Sequence, residues 1–309
     1  MSKAIAIRRS ISSTLVKEKV AALIQAFLSG RNALTIRAYR QDLNDFSSFT
    51  RARGVDDAAR GLLSLAPGDA NALALSYKAN LVERGLQAAT INRRLAALRA
   101  LVKLARTLGI VLWSLEVQNL KVEQDRDLRG PARGTLKKVL HSLDQRGGPK
   151  AKRDLAILRL LHDLGLRRGE VVSLDLAHVA LEVGTVSVMG KGRTARLSLT
   201  LPPETKIVLA AWIEARGAAP GPLFTNFDRA KKGARLTGTS VYRLTKGLGL
   251  GRPHGVRHLA ITEALDLMGG DVRKVQRFSR HRDMRVVAAY DDSRQDFAGE
   301  VSRIVASNM

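Results

Sequence analysis

The sequence predicts a mainly α-helical protein with a small antiparallel β-sheet, divided into two domains. Three observations carry this expectation. Apolar residues recur at helical spacing along most of the chain. Between Val179 and Thr200, three short alternating or β-branched segments are separated by glycines. From Glu116 to Gly134 the chain is rich in charge, contains Gly130-Pro131 and loses its apolar periodicity after Leu120. A chain of 309 residues is long enough for two cores. The expected division is a helical unit over 1–118, a linker over 119–134 and a second unit over 135–309.

The elements follow in order. Thr35 opens a helix whose Tyr39, Leu43, Phe46 and Phe49 share one face, with Arg37, Arg40 and Arg51 off that stripe. A second helix runs from Asn71 to Arg84 and stops at Gly85. A third starts at Thr90 as N-cap. Its Ile91, Leu95, Leu98, Leu101, Val102 and Ala105 face inward, and Arg93, Arg94, Arg99 and Lys103 face outward. Gly109 ends it. Thr135 caps a helix through Leu143, closed by Gly147-Gly148-Pro149. Leu155–Leu164 is helical up to Gly165, and a short helix spans Val171–Leu174. Val179–Leu181, Thr185–Met189 and Ala195–Thr200 are the strands. Further helices are expected over Glu204–Arg216, Ser240–Lys246, His254–Leu267, Val272–Ser279 and Met284–Tyr290.

Composition narrows the function. Lys and Arg number 52 against 28 Asp and Glu, a formal net charge of +24, which points to a polyanionic partner. Aromatic residues are only 4%, too few for the stacking platforms of single-strand binders, so duplex DNA held by its phosphates is expected. No cysteine is present, which excludes disulfides and thiolate metal sites. No stretch approaches the length of a membrane helix, and the apolar run Ala4–Ile7 is too short for a signal peptide. A cytoplasmic, nucleoid-associated protein without membrane contact is expected.

The chemistry lies in an ordered set. Arg167, Lys191, His254, Arg257 and His281 precede Tyr290, which stands nine residues past His281. A phosphodiester under attack gains negative charge, and fixed cations stabilise it. Arginine gives paired bonds to phosphate oxygens, and lysine or histidine can protonate a departing sugar oxygen. His254 and His258 have the spacing of helical metal ligands. With neither the His-Glu-x-x-His arrangement nor a cysteine, however, a metal site is not expected.

These motifs resemble the tyrosine recombinase, or phage-integrase-like, family. Leu164-Gly165-Leu166-Arg167-Arg168-Gly169-Glu170 is similar to its first box. Gly190-Lys191-Gly192 is similar to its sheet-lysine turn, and His254-Gly255-Val256-Arg257-His258 to its His-x-x-Arg box. His281 and Tyr290 fall on its second histidine and its nucleophile. Three positions depart from the family's habit: Arg280 stands where glycine is usual, Val256 where leucine is common and Leu164 where threonine is frequent.

The resemblance implies an N-terminal helical, SAM-like core-binding domain, with Arg37, Arg40, Arg93, Arg94 and Arg99 on DNA. It also implies a C-terminal α+β DNA breaking-rejoining catalytic domain. By the same resemblance, Tyr290 attacks the scissile phosphate to form a 3′-phosphotyrosyl link. Arg167, Arg257 and His281 hold that phosphate, and Lys191 is the general acid. His254 assists proton transfer, and Glu170 orients the first box. Bond energy stays in the ester, so no cofactor or metal is called for. The implied partners are double-stranded DNA with an inverted-repeat site, three further copies forming a tetramer on two duplexes, and an accessory recombinase or directionality factor. By its periodicity the stripe Phe297, Val301, Ile304 and Val305 suits packing on its own domain; the resemblance implies instead that it docks on a neighbouring copy. Because the helical pattern begins near the start of the chain, little room is expected for a separate arm-binding domain. Rival readings are a type IB topoisomerase-like enzyme and a catalytically silent DNA-binding accessory protein.

Overall fold

The structure, a computed structural model, describes residues 22, 23, 27, 33–122, 130–190, 195–292 and 297–307. Lys191 and residues 123–129 of the expected linker lie outside the described residues. The chain divides into two compact units, Met1–Arg126 and Asp127–Met309.

The first unit holds helices α1 (Ala33–Phe49), α2 (Val55–Leu63), α3 (Pro67–Glu83) and α4 (Ala88–Thr107). Its core gathers Leu43, Phe46, Leu62, Tyr77, Leu81, Ile91, Leu95, Leu98 and Leu101, all nearly inaccessible to solvent. The Phe46 and Tyr77 rings meet edge to face with centroids 5.1 Å apart. α2 is an element that the apolar spacing did not reveal. Asp56 and Asp57 in its first turn favour its positive N-terminal end. Beyond α4 the chain is strapped back by side chains. Asn92 exchanges two bonds of 2.8 Å with the Leu120 backbone, and Asn71 accepts from the Glu116 amide at 2.7 Å.

The second unit contains α5 (Arg133–Arg146), α6 (Gly148–Asp163), α7 (Arg168–Val172), α8 (Pro203–Arg216), α9 (Gly238–Gly247), α10 (Pro253–Leu267), α11 (Val272–Ser279), α12 (Met284–Asp292) and α13 (Phe297–Ser307). Strands β1 (Val179–Ala180), β2 (Thr185–Met189) and β3 (Arg196–Thr200) form an antiparallel sheet in the order β1-β2-β3. Val186 and Val188 of β2 point into the core, whereas β3 alternates half-buried Leu197 and Leu199 with exposed neighbours. Pairing of Met189 with Arg196 leaves the connection that contains Lys191 between them. The central helix is α6, whose Ile157, Leu158, Leu160 and Leu161 are fully buried against α5, α8 and α10.

Several helices begin earlier than the apolar pattern indicates. α3 starts at Pro67 instead of Asn71, and α6 at Gly148 instead of Leu155. Both starts carry a proline in the first turn, where the missing amide proton costs nothing. Gly147, at φ 61°, both ends α5 and stands as the N-cap of α6. Gly147-Gly148-Pro149 therefore opens a helix as well as closing one. No described helix is long and apolar enough to cross a membrane.

Gly130 is pressed against α10. A β-carbon there would lie 2.2 Å from the Gly255 carbonyl oxygen and 2.9 Å from Leu259 Cβ. Gly130→Val should therefore destabilise the protein by about 1–3 kcal/mol. Gly134→Ala, which meets nothing within 4 Å, should cause no loss. Thermal melts of the two variants check this, and equal melting temperatures would contradict the close approach at Gly130.

Candidate active site

The first box is built where α6 ends. Gly165 takes φ 53°, and a β-carbon on it would sit 3.3 Å from the Phe278 ring. Glycine is thus favoured both by the positive φ of the turn and by the tight packing on Phe278. The turn delivers Arg167 to the start of α7. Glu170, 4% exposed, receives the Arg167 amide on Oε2 and Arg167 Nη1 on Oε1, both at 2.9 Å. The carboxylate therefore orients the arginine through its backbone and its side chain together. Burial pushes the Glu170 carboxyl upward. The Arg167 amide bond and the nearby charge of Arg280 outweigh that and keep it ionised below its usual range.

α10 starts with Pro253 and presents His254 to solvent one turn before Arg257. Arg257 is 1% exposed. Its Nη1 donates to the Gly165 carbonyl and its Nη2 to the Ser279 carbonyl, so one guanidinium joins the first-box turn to the end of α11. The same Nη2 lies 3.3 Å from His281 Nε2. A guanidinium has no acceptor, so Nε2 accepts and the His281 proton sits on Nδ1.

α11 ends at Arg280, which adopts φ 57°, ψ 32°. This left-handed geometry accounts for the glycine usual at this position, since a side chain here costs about 1–2 kcal/mol. Arg280 Nη1 donates to the Leu164 carbonyl at 2.9 Å, and Nη2 donates to the Gly165 carbonyl at 3.0 Å and to Glu170 Oε2 at 3.1 Å.

Tyr290, on α12, is 6% exposed and belongs to a small cluster with Ile261, Leu265, Val275 and Val287. Its ring centroid lies 4.4 Å from that of His258 and 5.9 Å from that of His281. Burial raises its phenol pKa, while the charges of Arg257 and Arg167 pull it back.

The electrostatics are one-sided. Arg167, Arg257 and Arg280 share the single carboxylate of Glu170. Arg257 is pushed down to about 10 by burial and by the other two arginines. His281 is pushed down to about 4 by burial, then by Arg257 and Arg167, so it is neutral at pH 7. His254, though its side chain reaches solvent, is lowered by partial desolvation and by the same two arginines. Positive charge thus exceeds negative charge at this site. Among the described residues, no group of three or more His, Asp or Glu is placed to hold a metal ion.

The structure thus brings Arg167, Glu170, Arg257, His281 and Tyr290 together, with His254 within electrostatic reach. Lys191 lies outside the described residues. The sequence marks Arg280 as a departure and His258 as part of its box, without placing either one; the ring of His258 is the one nearest the Tyr290 ring among the described contacts. In the first unit, Arg37 and Arg40 are exposed. Arg93 is half-exposed and pairs with Asp42 at 2.9 Å. Arg94 is buried and bridges to Asp45 at 2.8 Å. Arg99 donates to the Val117 carbonyl and to Asn119 Oδ1, each at 2.6 Å, and holds the segment after α4.

Residues 134–296 match the phage integrase family, and residues 24–108 match the phage integrase N-terminal SAM-like domain. The chain is similar to a tyrosine recombinase of Synechocystis sp., with 37% identity over 289 residues that cover 89% of this chain and 91% of that one. It is likewise similar to one of Synechococcus elongatus, 38% identical over 288 residues covering 89% and 90%. The fold is shared with the XerH site-specific recombinase, solved bound to its palindromic difH substrate in a post-cleavage complex. That likeness has a TM-score of 0.65 at 20% identity and covers 93% of this chain and 85% of XerH. With its two matched domains and its cationic cluster around one tyrosine, the chain belongs to the phage integrase family of tyrosine recombinases, enzymes that cleave and rejoin DNA at specific sites.

Proposed function

We propose that Tyr290 is the nucleophile of this recombinase and that Arg167, Arg257 and His281 receive the scissile phosphate. The observation that carries this reading is the convergence of these four side chains, from four separate elements, on a locus rich in cations and short of anions. The Tyr290 oxygen attacks phosphorus, the bond to the 5′-oxygen breaks, and a 3′-phosphotyrosyl ester remains. The departing 5′-oxygen takes its proton from Lys191. His254 assists removal of the phenolic proton. Arg167 and Arg257 neutralise the non-bridging oxygens, with Arg167 aimed by Glu170. His281 Nε2 now accepts from Arg257, so a donation to the phosphate from that nitrogen requires it to gain a proton there. Attack by a partner strand's 5′-hydroxyl reverses the sequence and restores the phenol. The ester conserves the bond energy, so no step requires ATP.

The partner is duplex DNA. Exposed Arg37 and Arg40 and half-exposed Arg93 are its contacts in the first unit; Arg94 and Arg99 act by holding that unit's internal structure. The 1–118 unit serves as core-binding domain and 135–309 as catalytic domain, joined by 119–134. An inverted-repeat site fits a family in which XerH is solved on a palindromic substrate. The working assembly is a tetramer on two duplexes at the nucleoid, with room for an accessory recombinase or directionality factor. Support for assembly comes from α13. Val301, Ile304 and Val305 are 59%, 55% and 59% exposed, an apolar face suited to a neighbouring copy. The Phe297 side chain lies outside the described set.

Two outcomes test this reading. Tyr290→Phe should bind a cognate duplex with unchanged affinity and give no covalent protein–DNA adduct on a nicked suicide substrate. Persistence of a protease-sensitive adduct would remove Tyr290 from the role. Truncation after Asp296 should abolish recombination while the thermal melt of the protein stays close to wild type. Full recombination by the truncated protein would dismiss docking of α13 on a neighbour.

A further inference from the structure

We propose that Arg280 is a positioning residue that locks the two halves of the phosphate clamp to each other, a role resting on the assignment of Arg167 and Arg257 to that clamp. Its side chain is 8% exposed and reaches back to the end of α6. There its Nη1 and Nη2 atoms make four hydrogen bonds: to the Leu164 carbonyl at 2.9 Å, the Phe278 carbonyl at 3.2 Å, the Gly165 carbonyl at 3.0 Å and Glu170 Oε2 at 3.1 Å.

Two of these acceptors are shared with the clamp. The Gly165 carbonyl also receives Arg257 Nη1, and Glu170 also receives the Arg167 amide and guanidinium. Arg280 therefore fixes at once the carbonyl that seats one clamp arginine and the carboxylate that aims the other. A guanidinium suits this task because its donors fan out in a rigid plane, whereas an ammonium is a single point. The same bonds argue against a phosphate contact, since both terminal nitrogens are engaged with the protein. They also argue against crowding of His281, since the side chain leads to the first box.

The test uses Arg280→Gly and Arg280→Lys. Glycine relieves the left-handed backbone but removes the bridge; lysine keeps charge and reach but cannot span all the acceptors. Single-turnover cleavage of a nicked suicide duplex should fall on the order of 10²-fold for Arg280→Gly, the scale of a small misplacement of a reacting group. Arg280→Lys should be intermediate. Non-covalent DNA affinity and its salt dependence, measured with each change combined with Tyr290→Phe, should stay as in Tyr290→Phe alone.

Wild-type cleavage by Arg280→Gly would overturn the proposal. So would a loss of affinity with the log–log salt slope reduced by about one, which marks a lost phosphate contact. If Arg280→Gly does not fold, Arg280→Lys decides: slower cleavage at unchanged affinity supports the role, and a wild-type rate refutes it. Arg167→Ala and Tyr290→Phe run alongside. Normal cleavage by either one defeats the reading of the site itself. Their inactivity beside fully active Arg280 variants defeats the positioning role alone.

Discussion

Arg167, Arg257 and Arg280 stand around one carboxylate, Glu170, and much of the catalytic unit's local structure serves to keep them there. Cations gathered in a partly buried place repel one another, and each resists removal from water. The chain offsets this with carbonyl oxygens more than with carboxylates. Gly165, Ser279 and Leu164 each turn a carbonyl towards a guanidinium. Carbonyl dipoles orient the arginines while leaving most of their charge uncancelled, which is the property the proposed phosphate seat needs. The lowered pKa values of Arg257, His281 and His254 are the electrostatic record of that arrangement.

This constraint explains features that otherwise look like local detail. The positive φ of Gly165 lets α6 stop and reverse so that its last carbonyls face the arginines. The left-handed Arg280 turns the chain so that His281 follows α11 beside Arg257. Tyr290 packs beside the rings of His258 and His281, where burial raises its phenol pKa and Arg257 and Arg167 exert the opposing pull. Cationic charge is thus already in place to stabilise the ionised form of this phenol.

Much of the site was legible in the sequence because its parts are side-chain types in fixed order on short local segments. Arg167 and Glu170 share one turn, and His254 and Arg257 are one helical turn apart. Other features were hidden because they depend on distant pairing. Arg94 sits off the apolar stripe of α4 and reads as surface, yet Asp42 and Asp45 on α1 take it into the interior. Arg280 reads as an intrusion at a glycine position, since its acceptors at Leu164, Gly165 and Glu170 lie more than a hundred residues upstream. Helix starts at Pro67 and Gly148 were missed because polar first turns carry no apolar periodicity. The three strands, by contrast, announced themselves through β-branched alternation between glycines.

The central claim is that the uncancelled charge of Arg167 and Arg257 is a seat for a phosphodiester, and His281 reports on it directly. Its imidazole can be followed by NMR over a pH series in the Tyr290→Phe protein, alone and with a duplex that the wild-type protein cleaves. In the free protein His281 should stay neutral down to a pKa of about 4. A phosphate placed among the arginines counters their repulsion, so the pKa should rise in the complex and binding should tighten as pH falls. An unchanged His281 titration on DNA binding would contradict the account.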